Sequence, residues 1–406
     1  MTSTGDTAAA ATSAREELDA RYRVAFLDWL GCSSAGSSER AARCARAVAE
    51  GASGRVFAAA VAGHVLDFDD TYVPGLAHLS APTAPVALIL GAELGATIGD
   101  VLGAYAAGFE LMGALARRSH PALYERGWHP TAVCGAVGAA VTAAALMGHV
   151  RDDVAATAGR LALAKAGGLR RSFGSDAKSI QVGAAAASGL IAARLASVGA
   201  SATGDLPTGP GGFEEAFGGT WADPLDESHE RDAVAENWIK AYPCCLQTHG
   251  PIDAAAQGRD RVGVDGPLTV TVHPRARQAA PYDDVEDGLQ AKFSIPYTVA
   301  YTLLHGPPLE PSCFQAVDAE ARELAATRVF VRLEDSLPET GAALALGSDE
   351  LARVEWARGS PANPMSEEEL AAKFNRLAGA RLDGVLDDPA RAASEALAAS
   401  GIESPS

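Results

Sequence analysis

The stretch His64–Thr71 (HVLDFDDT), followed by His78, carries the densest set of acid–base side chains in the sequence. Asp67, Asp69 and Asp70 stand among apolar residues, and a carboxylate packed against apolar groups has a raised pKa and can move protons near neutrality. A solvated acidic turn or a helix cap explains the same residues without chemistry. A magnesium site is a third interpretation, although no second acidic cluster of this quality accompanies it.

A second motif, Arg126–Thr131 (RGWHPT), places His129 directly before Pro130. Proline is favoured at the first position of a helix, so His129 is predicted to stand where a loop meets a helix N-terminus. There it can face an anion together with free backbone N–H groups. A purely structural histidine is the alternative.

A third motif, Arg170–Gly183 (RRSFGSDAKSIQVG), combines Arg170, Arg171 and Lys178 ahead of a helix rich in small residues. Such a cluster of cations suits the binding of a carboxylate. The alternative is a solvated basic turn.

A fourth motif, Trp238–His249 (WIKAYPCCLQTH), lies where a helical pattern gives way to a mixed one. Clefts between domains often bind small molecules, which makes Lys240, Cys245 and His249 candidates for a site. The adjacent cysteines suggest a nucleophile, but neither has a partner base within a recognisable motif.

Composition limits the class of partner. The 406 residues carry a formal net charge of −18, which makes nucleic acid and anionic membranes unfavourable partners. An anionic substrate is repelled as well, so its site must supply local positive charge. Only five of the 33 basic residues are lysines. They are Lys165, Lys178, Lys240, Lys292 and Lys373.

The six cysteines show no zinc spacing and no C-x-x-C motif, which favours reduced thiols in a cytoplasmic protein. The first residues lack the basic and apolar regions of a signal peptide. Residues 131–148 approach membrane-spanning length, but alanine and glycine dominate them, and a tightly packed buried helix is the better interpretation.

The first two-thirds of the chain predict helices. Ser13 and Glu16 form a capping-box pattern ahead of a helix that Gly31 can end. Alanine-rich segments at 81–118, 131–149, 152–167 and 180–198 continue the helical pattern. The turn-rich segment 204–219 reads as a surface connection.

From residue 265 the pattern changes to a smaller α+β unit. Alternating residues predict strands at 268–272, 327–333 and 351–356, with helices at 289–304 and 310–326. A capping box at Ser366–Glu369 opens a last helix. We expect a mainly α fold with a large all-α domain over 1–240, to which 368–406 return, and a smaller α+β lid domain over 241–367.

Taken in order, these motifs resemble the MmgE/PrpD family, which includes 2-methylcitrate dehydratases, cis-aconitate decarboxylases and iminodisuccinate epimerases. The resemblance extends over most of the chain and rests on their joint order and spacing. It also draws on the stretches Gly211–Phe217 (GGFEEAF), Thr248–Ile252 (THGPI), Ala291–Tyr297 (AKFSIPY) and Gly359–Lys373 (GSPANPMSEEELAAK).

The resemblance implies a homodimer with a site between its two domains and no required cofactor. We also expect no metal, since no second acidic cluster accompanies the first. Its functional positions fall on Asp67, Thr71, His78, His129, Lys178 and Lys240. Three departures stand out: Gln181 where the family commonly has histidine, Leu246 where it often has arginine, and a longer spacing from Thr71 to His78. Because the first two replace up to two cationic side chains, we expect a substrate with fewer carboxylates than citrate-type acids.

The hypothesis at this stage is a cofactor-independent lyase that acts on a small carboxylic acid by proton abstraction next to a carboxylate. A 2-methylcitrate dehydratase-like reaction comes first, and decarboxylation or epimerisation is the alternative. A non-catalytic family member is a further one. In this hypothesis Lys178 and Lys240, with Arg170 or Arg171, stabilise the developing anion. Asp67 or His78 is the candidate base and His129 the candidate acid, and these two labels can be exchanged. The substrate-binding residues are predicted to be Thr71, Arg170, Arg171, Gln181, Cys245 and His249.

Overall fold

The computed structural model describes residues 4–226, 233–262 and 266–402, with side chains described from residue 16 onward. Helices dominate it, which confirms the mainly α fold class. The helices of the N-terminal part are α1 (Thr4–Gly36), α2 (Arg40–Ala47), α3 (Gly51–His64), α4 (Ser80–Leu94), α5 (Ile98–Ser119), α6 (Ala122–Glu125), α7 (Pro130–Leu146), α8 (Asp153–Leu163), α9 (Ala177–Ser197) and α10 (Phe213–Phe217).

The helical core is built around α7, which packs against α4, α5, α8 and α9. Its alanines and glycines let these helices approach closely. A Cβ added to Gly189 of α9 would lie 2.5 Å from the Cβ of Ala139 and 2.6 Å from the carbonyl oxygen of Ala136. The predicted tight, buried helix at 131–148 is therefore confirmed.

Two helices, α5 and α9, are long and apolar enough to cross a membrane by length and composition. Within those windows 61% of α5 and 56% of α9 is buried inside the protein. Core helices of globular proteins pass the same test, since they are also long and apolar. The expectation that the protein avoids membranes stays a prediction.

The C-terminal part combines helices with a four-stranded sheet. Its helices are α11 (His249–Gly258), α12 (Pro274–Ala279), α13 (Gly288–Ala291), α14 (Ile295–His305), α15 (Ala319–Arg328), α16 (Glu367–Ala378) and α17 (Ala393–Ser400). Strands β1 (Thr71–Tyr72) and β2 (Asn237–Trp238) pair with each other, and the larger sheet contains β3 (Leu268–Val272), β4 (Val329–Leu333), β5 (Ala342–Leu346) and β6 (Asp349–Val354).

The sheet order is β4-β3-β5-β6, with β3 parallel to β4 and antiparallel to β5. Together with α11 and α14 it forms a second hydrophobic core, separate from that of the helical part. Helix α16 packs against α1, and α17 packs against α4, so the end of the chain contacts the helical part. The division into two domains with a lid stays a prediction.

Several predicted element boundaries were wrong. Helix α1 begins at Thr4, so Ser13 lies inside it, and it continues past Gly31 to Gly36. The segment 81–118 is two helices, because Gly95 adopts a left-handed φ of 71° and ends α4. Strand β5 and the pair β1–β2 escaped prediction, whereas the capping box at Ser366 and Glu369 is present.

Candidate active site

The loop from Val65 to Asp70 connects α3 to β1 and carries the acidic motif at the centre of the molecule. Every residue of it is buried. Asp67 has a positive φ of 52°, a left-handed conformation that aspartate tolerates better than most residues. Strand β1 pairs with β2, and Thr71 lies opposite Trp238. This pairing brings the segment that contains Lys240 alongside the acidic loop.

Two lysines hold the side chain of Asp67. Oδ1 of Asp67 accepts hydrogen bonds from Nζ of Lys178 at 3.0 Å and from Nζ of Lys240 at 3.1 Å. Lys240 also donates to the backbone carbonyl of Asp67. Lys178 is 7% exposed and Lys240 is 0% exposed. The two amines therefore bracket one carboxylate, with Lys178 on the accessible side.

Two further lysines hold the backbone of the same loop. Lys292 donates to the carbonyl of Leu66 at 3.0 Å, and Lys373 donates to that of Phe68 at 2.8 Å. Lys373 also forms a buried ion pair with Asp28. Four of the five lysines thus converge on the loop from different parts of the chain. The roles of Lys292 and Lys373 escaped the sequence analysis, because a lysine in an amphipathic pattern carries no local sign of a distant carbonyl partner.

His64 and His78 extend this network through Asp69. Nζ of Lys178 donates to Nε2 of His64 at 2.8 Å, and Nδ1 of His64 lies 2.9 Å from Oδ2 of Asp69. Nδ1 of His78 lies 3.1 Å from the same oxygen, and its Nε2 lies 3.6 Å from Oδ1 of Asp67. Nδ1 of His78 also lies 3.3 Å from Oγ1 of Thr71, so the ring stands between two carboxylates and a hydroxyl group. His64 opened the acidic motif, yet its central place was not predicted.

His129 lies directly before α7, as predicted, and contacts Gln181. The amide nitrogen of Gln181 lies 2.6 Å from Nδ1 of His129. Burial, reinforced by the charge of Lys178, lowers the pKa of His129 well below its usual value. His129 is therefore a neutral imidazole at physiological pH.

The sequence predicted raised pKa values for the carboxylates of the acidic loop, and the structure lowers two of the three. Burial acts to raise the pKa of Asp67, but Lys178 and Lys240 outweigh it and hold the pKa well below 3.8. The pKa of Asp69 is likewise lowered, because His64 and His78 outweigh its burial. Among these three carboxylates the expectation is correct only for Asp70. Its burial raises its pKa well above the usual value. Asp67 is thus a permanent anion and a weak base.

A pocket opens beside these groups, between the helical part and the α+β part. The space between protein atoms there is about 410 Å³, a figure that includes the solvent at its open mouth. Thirteen residues line it. They are Asp67, Thr71, Leu76, His78, Tyr124, His129, Phe173, Lys178, Cys245, Leu246, Gln247, Ala279 and Phe293.

The structure therefore brings Asp67, Thr71, His78, His129, Lys178 and Cys245 of the predicted site to one pocket. Tyr124 and Gln247 join them without having been predicted, since neither stands in an obvious acid–base pattern. The thiol of Cys245 has a pKa raised by burial to about 12, which makes it a poor nucleophile.

Five predicted residues do not line the pocket. Lys240 lies behind Asp67, and Gln181 lies behind His129. Arg170 stacks over the ring of Tyr124 at 4.6 Å, and Arg171 is exposed. His249 is fully buried against Tyr242, with a ring separation of 4.9 Å. The five therefore lie outside the lining of this pocket, and their predicted roles stay predictions.

His64, Asp69 and His78 lie close enough together to hold a metal ion in the described part of the chain. Their hydrogen bonds favour another arrangement. Lys178 donates to Nε2 of His64, so the remaining ring proton stands on Nδ1 and faces Asp69. A metal ion bound through Nδ1 would displace that proton and break the hydrogen bond to Asp69. The expectation of a metal-free site stays a prediction that chelator treatment can test.

Three features define what the pocket can do. Two of the three N–H groups of Lys178 donate to His64 and Asp67, so one N–H group can donate to a bound anion. His78 presents an imidazole ring, and His129 presents an N–H group. A cation between a proton acceptor and a proton donor can stabilise negative charge on carbon next to a carboxylate.

Two protein-family models match the chain. Residues 52–223 match the MmgE/PrpD N-terminal domain, and residues 242–398 match the MmgE/PrpD C-terminal domain. Cis-aconitate decarboxylase of Homo sapiens is 27% identical over 349 residues, which cover 78% of this chain and 71% of the human enzyme. The Mus musculus enzyme is 28% identical over 353 residues, 78% of this chain and 70% of its own length.

A cis-aconitate decarboxylase of Aspergillus terreus is 31% identical over 205 residues. This match covers 45% of the chain and 42% of the fungal enzyme, so it spans less than half the length of that relative. The two domain matches together cover most of the chain in the expected order. The chain belongs to the MmgE/PrpD family.

Proposed function

We propose that the protein is a lyase that acts on a small carboxylic acid without a cofactor, through an anion formed beside the carboxylate. One observation carries this proposal: the ammonium group of Lys178 lines a small pocket with one N–H group unused, held by Asp67 and His64. A cation fixed in this way is preorganised for charge that develops during the reaction. It binds the carbanion-like state more strongly than the substrate, which is what lowers a barrier.

The hydrogen bonds suggest a role for each histidine. His78 is the proposed base, because its imidazole lines the pocket beside Lys178 and Asp69 lies 3.1 Å from its Nδ1. His129 is the proposed acid, since Gln181 occupies its Nδ1 and leaves the proton on Nε2. Asp67 is too weak a base for this task and instead positions Lys178. Lys240 is a positioning residue for Asp67.

Decarboxylation is the first candidate reaction, because the relatives that match most of the chain are cis-aconitate decarboxylases. The carbon–carbon bond to one carboxylate breaks, CO2 leaves, Lys178 stabilises the electron pair, and His129 protonates the carbon. This order reverses the preference for dehydration that the sequence suggested. Dehydration stays the second candidate, since the same His129 N–H can protonate a leaving hydroxyl after His78 removes a proton.

Proton NMR in deuterium oxide tests the proposal directly. Purified protein is given cis-aconitate, 2-methylcitrate and smaller unsaturated or hydroxy acids. Release of CO2 with deuterium in the product indicates decarboxylation, and an alkene formed without CO2 indicates dehydration. Lys178→Met should abolish either reaction, whereas Lys165→Met, at an exposed lysine, should leave it unchanged. Full turnover by Lys178→Met, or no reaction with any acid, would refute the proposal.

The other expectations remain part of this proposal. We propose a homodimer in the cytoplasm that binds neither nucleic acid nor membrane. The acidic net charge of −18 supports the exclusion of both polyanions.

A further inference from the structure

The charged groups of the pocket are few and largely neutralise one another. Lys178 is the one lysine or arginine among the lining residues that the structure describes. Asp67 lies 3.0 Å from its amine, and the two ring nitrogens of His78 face Asp67 and Asp69. His129 is neutral because burial lowers its pKa. The described lining therefore offers an anionic ligand one N–H group of Lys178 and no second lysine or arginine.

The rest of the lining is neutral, and two of its members have unused hydrogen-bonding groups. Tyr124 is 4% exposed, and its buried hydroxyl lies beside the guanidinium of Arg170 but donates to no acceptor among the described residues. Burial raises the pKa of this phenol, so it keeps its proton at working pH. The thiol of Cys245, another lining residue, is close enough to contribute to that shift. Buried hydroxyl groups nearly always find a partner, so this one stands ready for an acceptor on a ligand.

Gln247 is the second lining residue with an unused hydrogen-bonding group. Its side-chain oxygen accepts from Sγ of Cys245 at 3.2 Å, which turns the amide nitrogen away from the thiol. That nitrogen has no hydrogen-bond partner within the part of the chain that the structure describes. Leu246 and Ala279, beside it in the lining, contribute no polar side-chain group.

From this arrangement we infer that the site takes a small acid with one carboxylate, bound by Lys178, and a neutral hydrogen-bond acceptor at its other end, bound by Tyr124 and Gln247. This inference rests on the proposed function and narrows its substrate class. Because decarboxylation would remove the one carboxylate, such a substrate fits the dehydration branch of that proposal. A second carboxylate would lie in the neutral part of the pocket without a cation, and burying an unpaired anion is costly. An amide, ester or hydroxyl oxygen accepts the same two hydrogen bonds without that cost.

Calorimetric titration with three matched acids tests the inference. Succinate carries two carboxylates, succinamate replaces one of them by an amide of the same shape, and butyrate lacks the polar end. We expect succinamate to bind roughly 10-fold more tightly than succinate and more tightly than butyrate, a difference typical of one or two hydrogen bonds. Equal or tighter binding of succinate would overturn the inference, as would the absence of binding by all three at millimolar concentrations.

Variants locate the contact. Tyr124→Phe deletes only the hydroxyl and should weaken succinamate roughly 3- to 10-fold while leaving butyrate unchanged. Tyr301→Phe, outside the pocket lining, is the matched control. Gln247→Arg adds a cation to the wall and should reverse the preference in favour of succinate, which Gln247→Met should not. Unchanged selectivity in both Tyr124→Phe and Gln247→Arg would overturn the inference.

Arg170 provides the competing explanation. Its guanidinium lies over the ring of Tyr124, and rotation into the pocket would supply a second cation. If succinate binds tightly and Arg170→Gln abolishes that binding, Arg170 rotates into the pocket. That result would refute the inference that no cation faces the second end of the ligand. Because binding is measured without turnover, the two proposals fail separately. An inactive protein that selects succinamate refutes the lyase alone, and a lyase that prefers tricarboxylates refutes this inference alone.

Discussion

The side-chain amide of Gln181 donates from its nitrogen to Nδ1 of His129 at 2.6 Å. The amide orientation is fixed from the other side, because the backbone N–H of Leu169 donates to Oε1 of Gln181 at 2.9 Å. Nδ1 of His129 must then be the acceptor, and the ring proton stands on Nε2. A single amide thus selects the tautomer of the proposed acid and opposes protonation of its second nitrogen.

Gln181→Glu should reverse this effect. A carboxylate accepts a proton from Nδ1 and stabilises the imidazolium form, so the pKa of His129 should rise by more than about one unit. In the wild-type protein His129 is neutral throughout the neutral range, because burial and Lys178 lower its pKa. The variant should therefore show a new ionisation in the pH dependence of kcat/KM and in the imidazole NMR signals of His129.

The matched control is Gln257→Glu, which makes the same charge change at an exposed position of α11. It should leave both profiles unchanged. A His129 signal that titrates identically in Gln181→Glu and in the wild-type protein would contradict the assigned tautomer.

Lys178 and Lys240 share one carboxylate, yet their removal should have different consequences. Lys240 is 0% exposed, so Lys240→Met removes a cation from the buried side of Asp67 where water cannot replace it. The free energy of unfolding should fall by about 3–5 kcal/mol. Lys178→Met opens onto the pocket, where water can solvate Asp67, and should cost less stability. It removes the group that contacts the substrate, so kcat/KM should fall at least about 100-fold.

Urea unfolding and steady-state kinetics on both variants check this pair. Lys165→Met, at an exposed lysine, should change stability by no more than about 0.5 kcal/mol. If Lys240→Met proved as stable as this control, the role of Lys240 behind Asp67 would be wrong.

Local patterns in the sequence account for much of the fold. The helical period, the small residues of α7 and the position of Pro130 predict a packed helix with His129 at its N-terminus, because each signal acts within a few residues of itself. Boundaries were less predictable. Thr4–Gly36 continues through Gly31, since contacts with α3 and α16 stabilise the helix beyond the residue that could end it.

Long-range relationships account for what the sequence did not predict. The low pKa of Asp67 depends on amines of Lys178 and Lys240, which are 111 and 173 residues away in the chain. No local pattern reports such distances, so the apolar neighbours of Asp67 pointed to the opposite shift. Which predicted residues touch the pocket is equally a matter of packing. Lys240 and Gln181 each support a residue that does so.

His249 provides a prediction about acid stability. Burial, with the charge of Lys240, lowers its pKa well below 6.5, so the folded protein keeps it neutral. As pH falls below 6.5, the unfolded chain takes up a proton there and the folded chain does not. Stability therefore declines by up to about 1.4 kcal/mol per pH unit from this residue alone.

His249→Phe should remove this contribution while keeping the ring packed against Tyr242. Because the polar contact of the ring is limited to the backbone of Cys244, the variant should differ in stability from the wild-type protein by no more than about 1 kcal/mol at pH 7. Unfolding free energies measured between pH 5 and pH 7 should show a shallower slope, with kcat/KM unchanged since His249 does not line the pocket. An unaltered slope would contradict the buried neutral histidine.

Lys292 should couple the backbone of the acidic loop to activity. Its amine donates to the carbonyls of Leu66 at 3.0 Å and Val65 at 3.4 Å, and burial lowers its pKa to about 8. In the unfolded chain the pKa of Lys292 is near 10.5. Between pH 8 and pH 10.5 the unfolded chain therefore holds a proton that the folded chain has released. Stability should therefore rise with pH across that interval, by on the order of 3 kcal/mol.

Lys292→Met should abolish this alkaline rise, because methionine has a similar length and no ionisable group. At pH 7 the loss of two hydrogen bonds is offset by removal of a buried charge, so stability should change by no more than about 1 kcal/mol. The loop that holds Asp67 loses its anchor, and kcat should fall about 10-fold with a smaller change in KM. Thermal and urea unfolding at pH 8 and pH 10 measure the first effect, with Lys165→Met retaining the rise. Wild-type kcat in Lys292→Met would show that the carbonyl contacts do not position Asp67.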